Sequence, residues 1–246
     1  VSRRETFDDL TIDVTRLAGP RGAPTARPFV LVHGIGVSHR YFEPVARLLA
    51  AHGDVWMIDL PGYGSAPKPQ RSPSIEDHAR VVGRFLERHG ITRPVLVGHS
   101  MGCQIVAALV EARPGLTDRV VLIGPTTEAR ARTLPRHAWR LFREFVIDPW
   151  KVKAVVGFDY LFRCGPAYYV KQLPNLIEDE IDKRIPGLAA RVLVIRGRSD
   201  PIAPREWCQA LAGSAAEGEF AEVAGPHVVM FTDPARVCRM LVQHAH

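Results

Sequence analysis

The apolar run at residues 94–97 leads straight into Gly98-His99-Ser100-Met101-Gly102, and residues 104–111 then have helical character. A chain that passes from strand to helix in so few residues must turn tightly, and that turn constrains the fold more than any other feature. Ser100, at its apex, is forced into a strained backbone conformation, and the glycines two positions before and after it remove side chains that would collide. The hydroxyl then stands at a helix N-terminus, where partial positive charge favours a developing anion. A bare Gly-x-Ser-x-Gly is common in ordinary loops. Its place between a strand and a helix favours a reactive serine.

The same alternation runs along the chain. Strands are expected at Phe29–Val32 and at residues 55–58, 120–123, 191–195 and 219–223. Helices are expected at residues 41–51 and 75–89, near 204–211, and from about Asp233. The helix at 75–89 has Ser74 as N-cap, Asp77 three residues later and Gly90 as its stop. Leu10–Leu17 alternates imperfectly, as a half-exposed edge strand would. Strands separated by helices predict an α/β fold, with a mostly parallel central sheet covered by helices on both faces. A chain of 246 residues with 46% hydrophobic content can bury such a core in one domain.

Two further polar residues lie where a serine mechanism needs them. The strand at 191–195 runs into Gly197-Arg198-Ser199-Asp200-Pro201, which places Asp200 on the loop beyond the strand's carboxyl end, where open α/β sheets build their sites. Gly225-Pro226-His227 follows the next strand. A serine hydroxyl is a poor nucleophile until an imidazole accepts its proton, and a carboxylate behind that imidazole fixes its tautomer and stabilises its positive charge. His227 is the expected base and Asp200 the expected acid.

Ser100, Asp200 and His227, in that order, with the Gly98–Gly102 elbow, resemble the α/β-hydrolase family. Two more stretches carry the resemblance. Phe29-Val30-Leu31-Val32-His33-Gly34-Ile35-Gly36 is a strand ending in a glycine-rich turn, and by resemblance the backbone N–H groups of Ile35 and Met101 would form the oxyanion hole, with His33 ordering the turn. Asp59-Leu60-Pro61-Gly62-Tyr63-Gly64-Ser65 is similar to a family stretch at the same place, and supports the fold more than the chemistry. Glu128 is an alternative acid, since some relatives carry theirs there.

The alternation fails between Thr126 and Leu188, a stretch dense in aromatics, including Trp139, Phe142, Phe145, Trp150, Phe158, Tyr160, Phe162, Tyr168 and Tyr169. It reads as a helical cap at 126–188 inserted into a core of residues 1–125 and 189–246. Between Arg130 and Lys171 nine basic residues face three acidic ones. That excess is either a solvated helix face or a surface steering an anionic substrate or an acidic carrier protein. No recognised motif points to nucleic acid, and no apolar run approaches the roughly 18 residues of a membrane span. Ser2-Arg3-Arg4 resembles the start of a twin-arginine signal, but Glu5, Asp8 and Asp9 break the pattern, so the first residues read as a solvated tail. Cys103, Cys164, Cys208 and Cys238 lack metal-ligand spacing and fit reduced thiols in a cytoplasmic protein.

The resemblance implies a serine hydrolase acting on a small carboxylic ester, lactone or thioester through an acyl-enzyme, with no metal or organic cofactor. Ser100 disfavours relatives with an aspartate nucleophile. His99 and Val228 depart from the pattern of carbon–carbon bond hydrolases, and Ile35 from that of perhydrolases. A ligand receptor on the same fold is the reading from another class, because a fold alone does not establish catalysis.

Overall fold

Neighbouring residues of the central strands divide the core between the two faces of one sheet. Val30, Val32, Leu96, Val120 and Leu122 pack on one side, and Phe29, Leu31, Val95, Val97, Val121 and Ile123 on the other. Both faces are therefore dry, which is why these strands read as continuous apolar runs. The computed structural model describes residues 2–20, 27–126 and 150–246.

The eight strands are β1 (Ser2–Phe7), β2 (Leu10–Leu17), β3 (Phe29–Val32), β4 (Val55–Asp59), β5 (Val95–His99), β6 (Arg119–Ile123), β7 (Arg191–Gly197) and β8 (Glu217–Val223), in the order β1-β2-β4-β3-β5-β6-β7-β8. The β1–β2 and β2–β4 pairings are antiparallel and the remainder parallel. From β3 the chain steps outward to β4, then returns to the other side of β3 as β5. The crevice beyond the carboxyl ends of β3 and β5 is thus the switch point at which such sheets place their sites.

Helices α2 (Ile75–Arg88) and α3 (Met101–Ala112) cover one face, and α1 (Glu43–Leu49) with Pro234–Ala245 the other. The start of α2 is a reciprocal capping box. Ser74 Oγ accepts from the Asp77 N–H and Asp77 Oδ2 from the Ser74 N–H, each at 3.1 Å. At the other end Gly90 adopts φ +59, a left-handed conformation that stops the helix.

The amino-terminal residues are not a solvated tail. Ser2–Phe7 forms the edge strand β1, so Leu10–Leu17 lies inside the sheet between β1 and β4. Only Glu5 and Phe7 of β1 are buried, and Glu5 is satisfied by the His89 imidazole at 2.6 Å and by Arg88. A buried carboxylate held by partners over eighty residues away leaves no apolar alternation to read.

Residues 150–184 are largely helical, as Trp150–Phe158, a π-helical stretch Asp159–Cys164, Pro166–Glu178 and Ile181–Arg184. They dock on the core through Tyr168 Oη donating to Pro61 O (2.8 Å), Gln104 Nε2 to Leu176 O (2.8 Å) and Asn175 Nδ2 to Pro73 O (2.7 Å). Glu128, Trp139, Phe142, Phe145 and the basic residues from Arg130 to Arg143 lie outside the described residues. Trp150 and Phe162 are largely exposed, whereas Tyr168 and Tyr169 are buried. All four cysteines are buried free thiols. Among the described residues no helix is long and apolar enough to cross a membrane.

Candidate active site

Ser100 occupies the turn between β5 and α3 with φ 55° and ψ −121°. Its glycines are required by space. A Cβ on Gly98 would lie 2.3 Å from Gly102 O, and one on Gly102 2.1 Å from Val32 O. The strained turn is pinned by the Ser100 N–H, which donates to Ile123 O on β6 at 3.0 Å, and by the Cys103 N–H, which donates to Ser100 O at 3.0 Å.

The turn after β3 closes directly on this serine. A Cβ on Gly34 would lie 2.8 Å from Ser100 Cβ and 3.3 Å from its Oγ. His33 orients the turn's peptides. Its Nε2 accepts from the Leu60 N–H at 3.0 Å, which leaves the ring proton on Nδ1, 2.7 Å from Gly34 O. In a trans peptide the N–H points opposite to the C=O, so holding the Gly34 carbonyl fixes the opposite direction for the Ile35 N–H. Burial pushes the His33 pKa down, which keeps the ring neutral and the arrangement intact.

Asp59 fastens the neighbouring loop. It accepts from the His39 N–H (2.8 Å), His39 Nδ1 (2.9 Å) and the Ser65 N–H (2.9 Å), and a Cβ on Gly64 would strike its carboxylate at 2.2 Å. Burial opposes charge on His39, but the hydrogen bond and negative charge of Asp59 outweigh it and raise the pKa.

Asp200 follows β7 and His227 follows β8, and they meet: His227 Nδ1 lies 2.7 Å from Asp200 Oδ2. The other carboxylate oxygen, Oδ1, accepts from the N–H groups of Ile202 (2.7 Å) and Ala203 (3.0 Å). Arg196 steadies the loop by donating to Ala203 O (2.9 Å) and Asp200 O (3.1 Å). An acceptor-only carboxylate facing Nδ1 requires the proton there, so Nε2 carries the basic lone pair.

The pair rests on Gly124, just after β6, where φ is +55° and a Cβ would lie 2.7 Å from both Cε1 and Nδ1 of His227. The preceding residue, Ile123, accepts the Ser100 N–H, and the His99 and His227 rings are 4.5 Å apart. The fold therefore brings Ser100, Asp200, His227, Ile35 and Met101 to one end of the sheet. The sequence alone does not point to Gly124. Its sign there is only a glycine closing a strand, since the ring it makes room for lies 103 positions away.

Aromatic residues of the helical segment roof the turn. A Cβ on Gly36 would lie 2.9 Å from Tyr169 Cδ2 and 3.5 Å from Tyr160 Cδ2, and the two rings meet edge to face with centroids 5.0 Å apart. The segment is latched to the same turn by Ser38 Oγ, which donates to Asp159 Oδ2 at 2.5 Å. Within this helical segment Arg163 pairs with Asp159 at 3.6 Å. Among the described residues no three His, Cys, Asp or Glu side chains gather as metal ligands.

The family model described as alpha/beta hydrolase fold matches residues 27–148. A putative carbamate hydrolase RutD of Serratia proteamaculans is 23% identical over 253 residues, covering 90% of this chain and 92% of that protein. A putative non-heme haloperoxidase of Mycobacterium phage D29 is 31% identical over 100 residues, so the match spans 40% of this chain but only 36% of that relative. The crystal structure of the enol-lactonase from Burkholderia xenovorans LB400 superposes with a TM-score of 0.84 at 19% identity, covering 98% and 99% of the two chains. At that identity the likeness speaks for the fold.

Proposed function

Because this chain belongs to the α/β-hydrolase fold family, we propose that it is a serine hydrolase cleaving a small carboxylic ester, lactone or thioester through an acyl-Ser100 intermediate. His227 takes the Ser100 proton as Oγ attacks the carbonyl carbon, and Asp200 stabilises the resulting imidazolium. The tetrahedral oxyanion is met by the N–H groups of Ile35 and Met101, each such donor typically contributing roughly 100-fold to 1000-fold in turnover. His227 then protonates the departing alcohol or thiol. In the second half it accepts a proton from water, whose oxygen attacks the acyl carbon and restores Ser100.

One observation carries this reading above the rest. The 2.7 Å contact between the buried His227 and Asp200 fixes the imidazole tautomer, at the same end of the sheet as a serine held at positive φ. The enol-lactonase fold is in keeping with ester and lactone substrates. Residues 126–188 act as a cap whose Tyr160 and Tyr169 bound the acyl or alcohol pocket, over a core of residues 1–125 and 189–246. The four buried free thiols are in keeping with a reducing, cytoplasmic setting.

A panel of p-nitrophenyl esters of increasing chain length, assayed with the wild type and Ser100→Ala, tests the reading. Turnover should fall by about 1000-fold or more in the variant. Undiminished turnover removes the serine mechanism, and tight binding of the panel without turnover in the wild type replaces it with a ligand receptor.

A further inference from the structure

Tyr41 and His99 lie behind the three segments that bear the proposed reacting groups, and both are buried. The Gly34 N–H donates to Tyr41 Oη at 2.9 Å, and Tyr41 Oη lies 2.8 Å from His99 Nδ1. On its far side, His99 Nε2 lies 3.3 Å from the backbone oxygen of His227. Every proton in this series has one consistent place. A carbonyl oxygen can only accept, so His99 carries its proton on Nε2; Nδ1 must then accept, and the Tyr41 hydroxyl supplies the hydrogen while its oxygen receives the Gly34 N–H.

We infer that Tyr41 and His99 form a positioning strut that sets the oxyanion turn, the nucleophile and the base at fixed separation from one another. One end grips the His33–Gly34 peptide, one before the peptide that carries the Ile35 N–H. The middle is the residue joined directly to Ser100, and the other end holds the main chain of His227. This inference rests on the reading of Ser100, His227 and the Ile35 N–H as the reacting groups. The strut touches no reacting atom and acts through them.

Its chemistry requires a neutral His99. Burial, reinforced by the neighbouring His227, holds the His99 pKa well below the usual histidine range. A protonated ring would present hydrogens on both nitrogens and leave the Tyr41 hydroxyl proton without its acceptor. A neutral ring 4.5 Å from His227 also imposes no charge repulsion when His227 becomes an imidazolium. The ring contacts with Tyr41 (5.2 Å) and Phe42 (6.3 Å) hold the imidazole plane.

Two measurements test the strut. Imidazole 15N NMR of the intact protein should report His99 as the Nε2–H tautomer from about pH 5 to 9; an Nδ1–H tautomer, or titration in that range, overturns the inference whether or not the enzyme turns over an ester. Kinetics supply the second. Tyr41→Phe keeps the ring and removes the hydroxyl, so kcat should drop about 10-fold to 100-fold with KM held within about 2-fold, since a misplaced donor costs turnover more than binding. In a His99→Leu background the same change should cost less than about 3-fold, because the strut is already broken. Additive losses, or a wild-type kcat in Tyr41→Phe, overturn it. Should His99→Leu fail to fold, the single variant and the tautomer still decide. If Ser100→Ala retains full turnover, the nucleophile reading has failed; if Ser100→Ala is dead and Tyr41→Phe is fully active, the strut alone has failed.

Discussion

His227 Nδ1 and Asp200 Oδ2 stand 2.7 Å apart, on loops separated by the whole of β8, and both lie against the bare Cα of Gly124. Gly124 works here by the absence of a side chain. At φ +55°, with the imidazole at 2.7 Å from where a methyl group would stand, any larger residue is both strained and in the way. Gly124→Ala should therefore displace His227 and lower kcat/KM by about 100-fold, with far-UV circular dichroism unchanged. Wild-type kinetics in that variant would mean that the ring does not need its observed seat.

Asp200→Asn keeps the shape but presents either an N–H or a neutral oxygen to His227. The two backbone N–H groups of Ile202 and Ala203 claim the oxygen of the new amide, which turns its NH2 toward Nδ1 and drives the imidazole proton onto Nε2, the wrong tautomer for a base. Turnover should fall by roughly 1000-fold to 10,000-fold with little change in thermal stability. A loss below about 10-fold would point to another acid.

Tyr169 bounds the space above Gly36. Shortening it to alanine should move the preferred acyl or alcohol chain to a longer member of the p-nitrophenyl series, seen as a KM that falls for long esters relative to short ones. An unchanged preference would place the pocket wall elsewhere.

Stability should weaken in mild acid before the carboxylates titrate. His78 is fully buried, 3.5 Å from Gln172 Oε1, and burial pushes its pKa from 6.5 down to about 4. Between those values the unfolded chain binds a proton that the folded one refuses, so stability falls as pH drops from 6.5 toward 4. His33 and His99, lowered by the same cause, act in the same direction, His39, raised by Asp59 against burial, acts in the opposite one, and Asp77, which burial raises but Arg71 and Arg80 hold at about 2, loses its stabilising contribution only below 3.8. Thermal melts at a series of pH values should show this slope, shallower in His78→Leu. Equal slopes in both proteins would contradict the assignment to His78.

What the sequence made legible was local. The turn at Ser100 announces itself because strand, glycine-flanked turn and helix follow within a few residues, and Gly98 is forced by Gly102 O only four positions on. The capping box at Ser74 and Asp77 is equally short-ranged. What stayed hidden depends on distant partners. Glu5 and the strand around it look like a charged tail until His89 and Arg88 close on them. Nothing along the chain marks His78 as buried, although its ring lies against Tyr63 and Gln172 in the core. Tyr41 and His99 are 58 positions apart, and nothing along the chain says that one hydroxyl joins them. Asp200 and His227 occupy the middle ground: strand ends predicted the loops that carry them, and only the three-dimensional arrangement supplies their contact.

The central claim, an activated Ser100, is tested most directly by fluorophosphonate labelling followed by peptide mapping. The account predicts stoichiometric modification of the peptide bearing Ser100, faster by orders of magnitude than in His227→Ala and absent in Ser100→Ala. Equal labelling rates in the wild type and His227→Ala, or a label on any other residue, would contradict it.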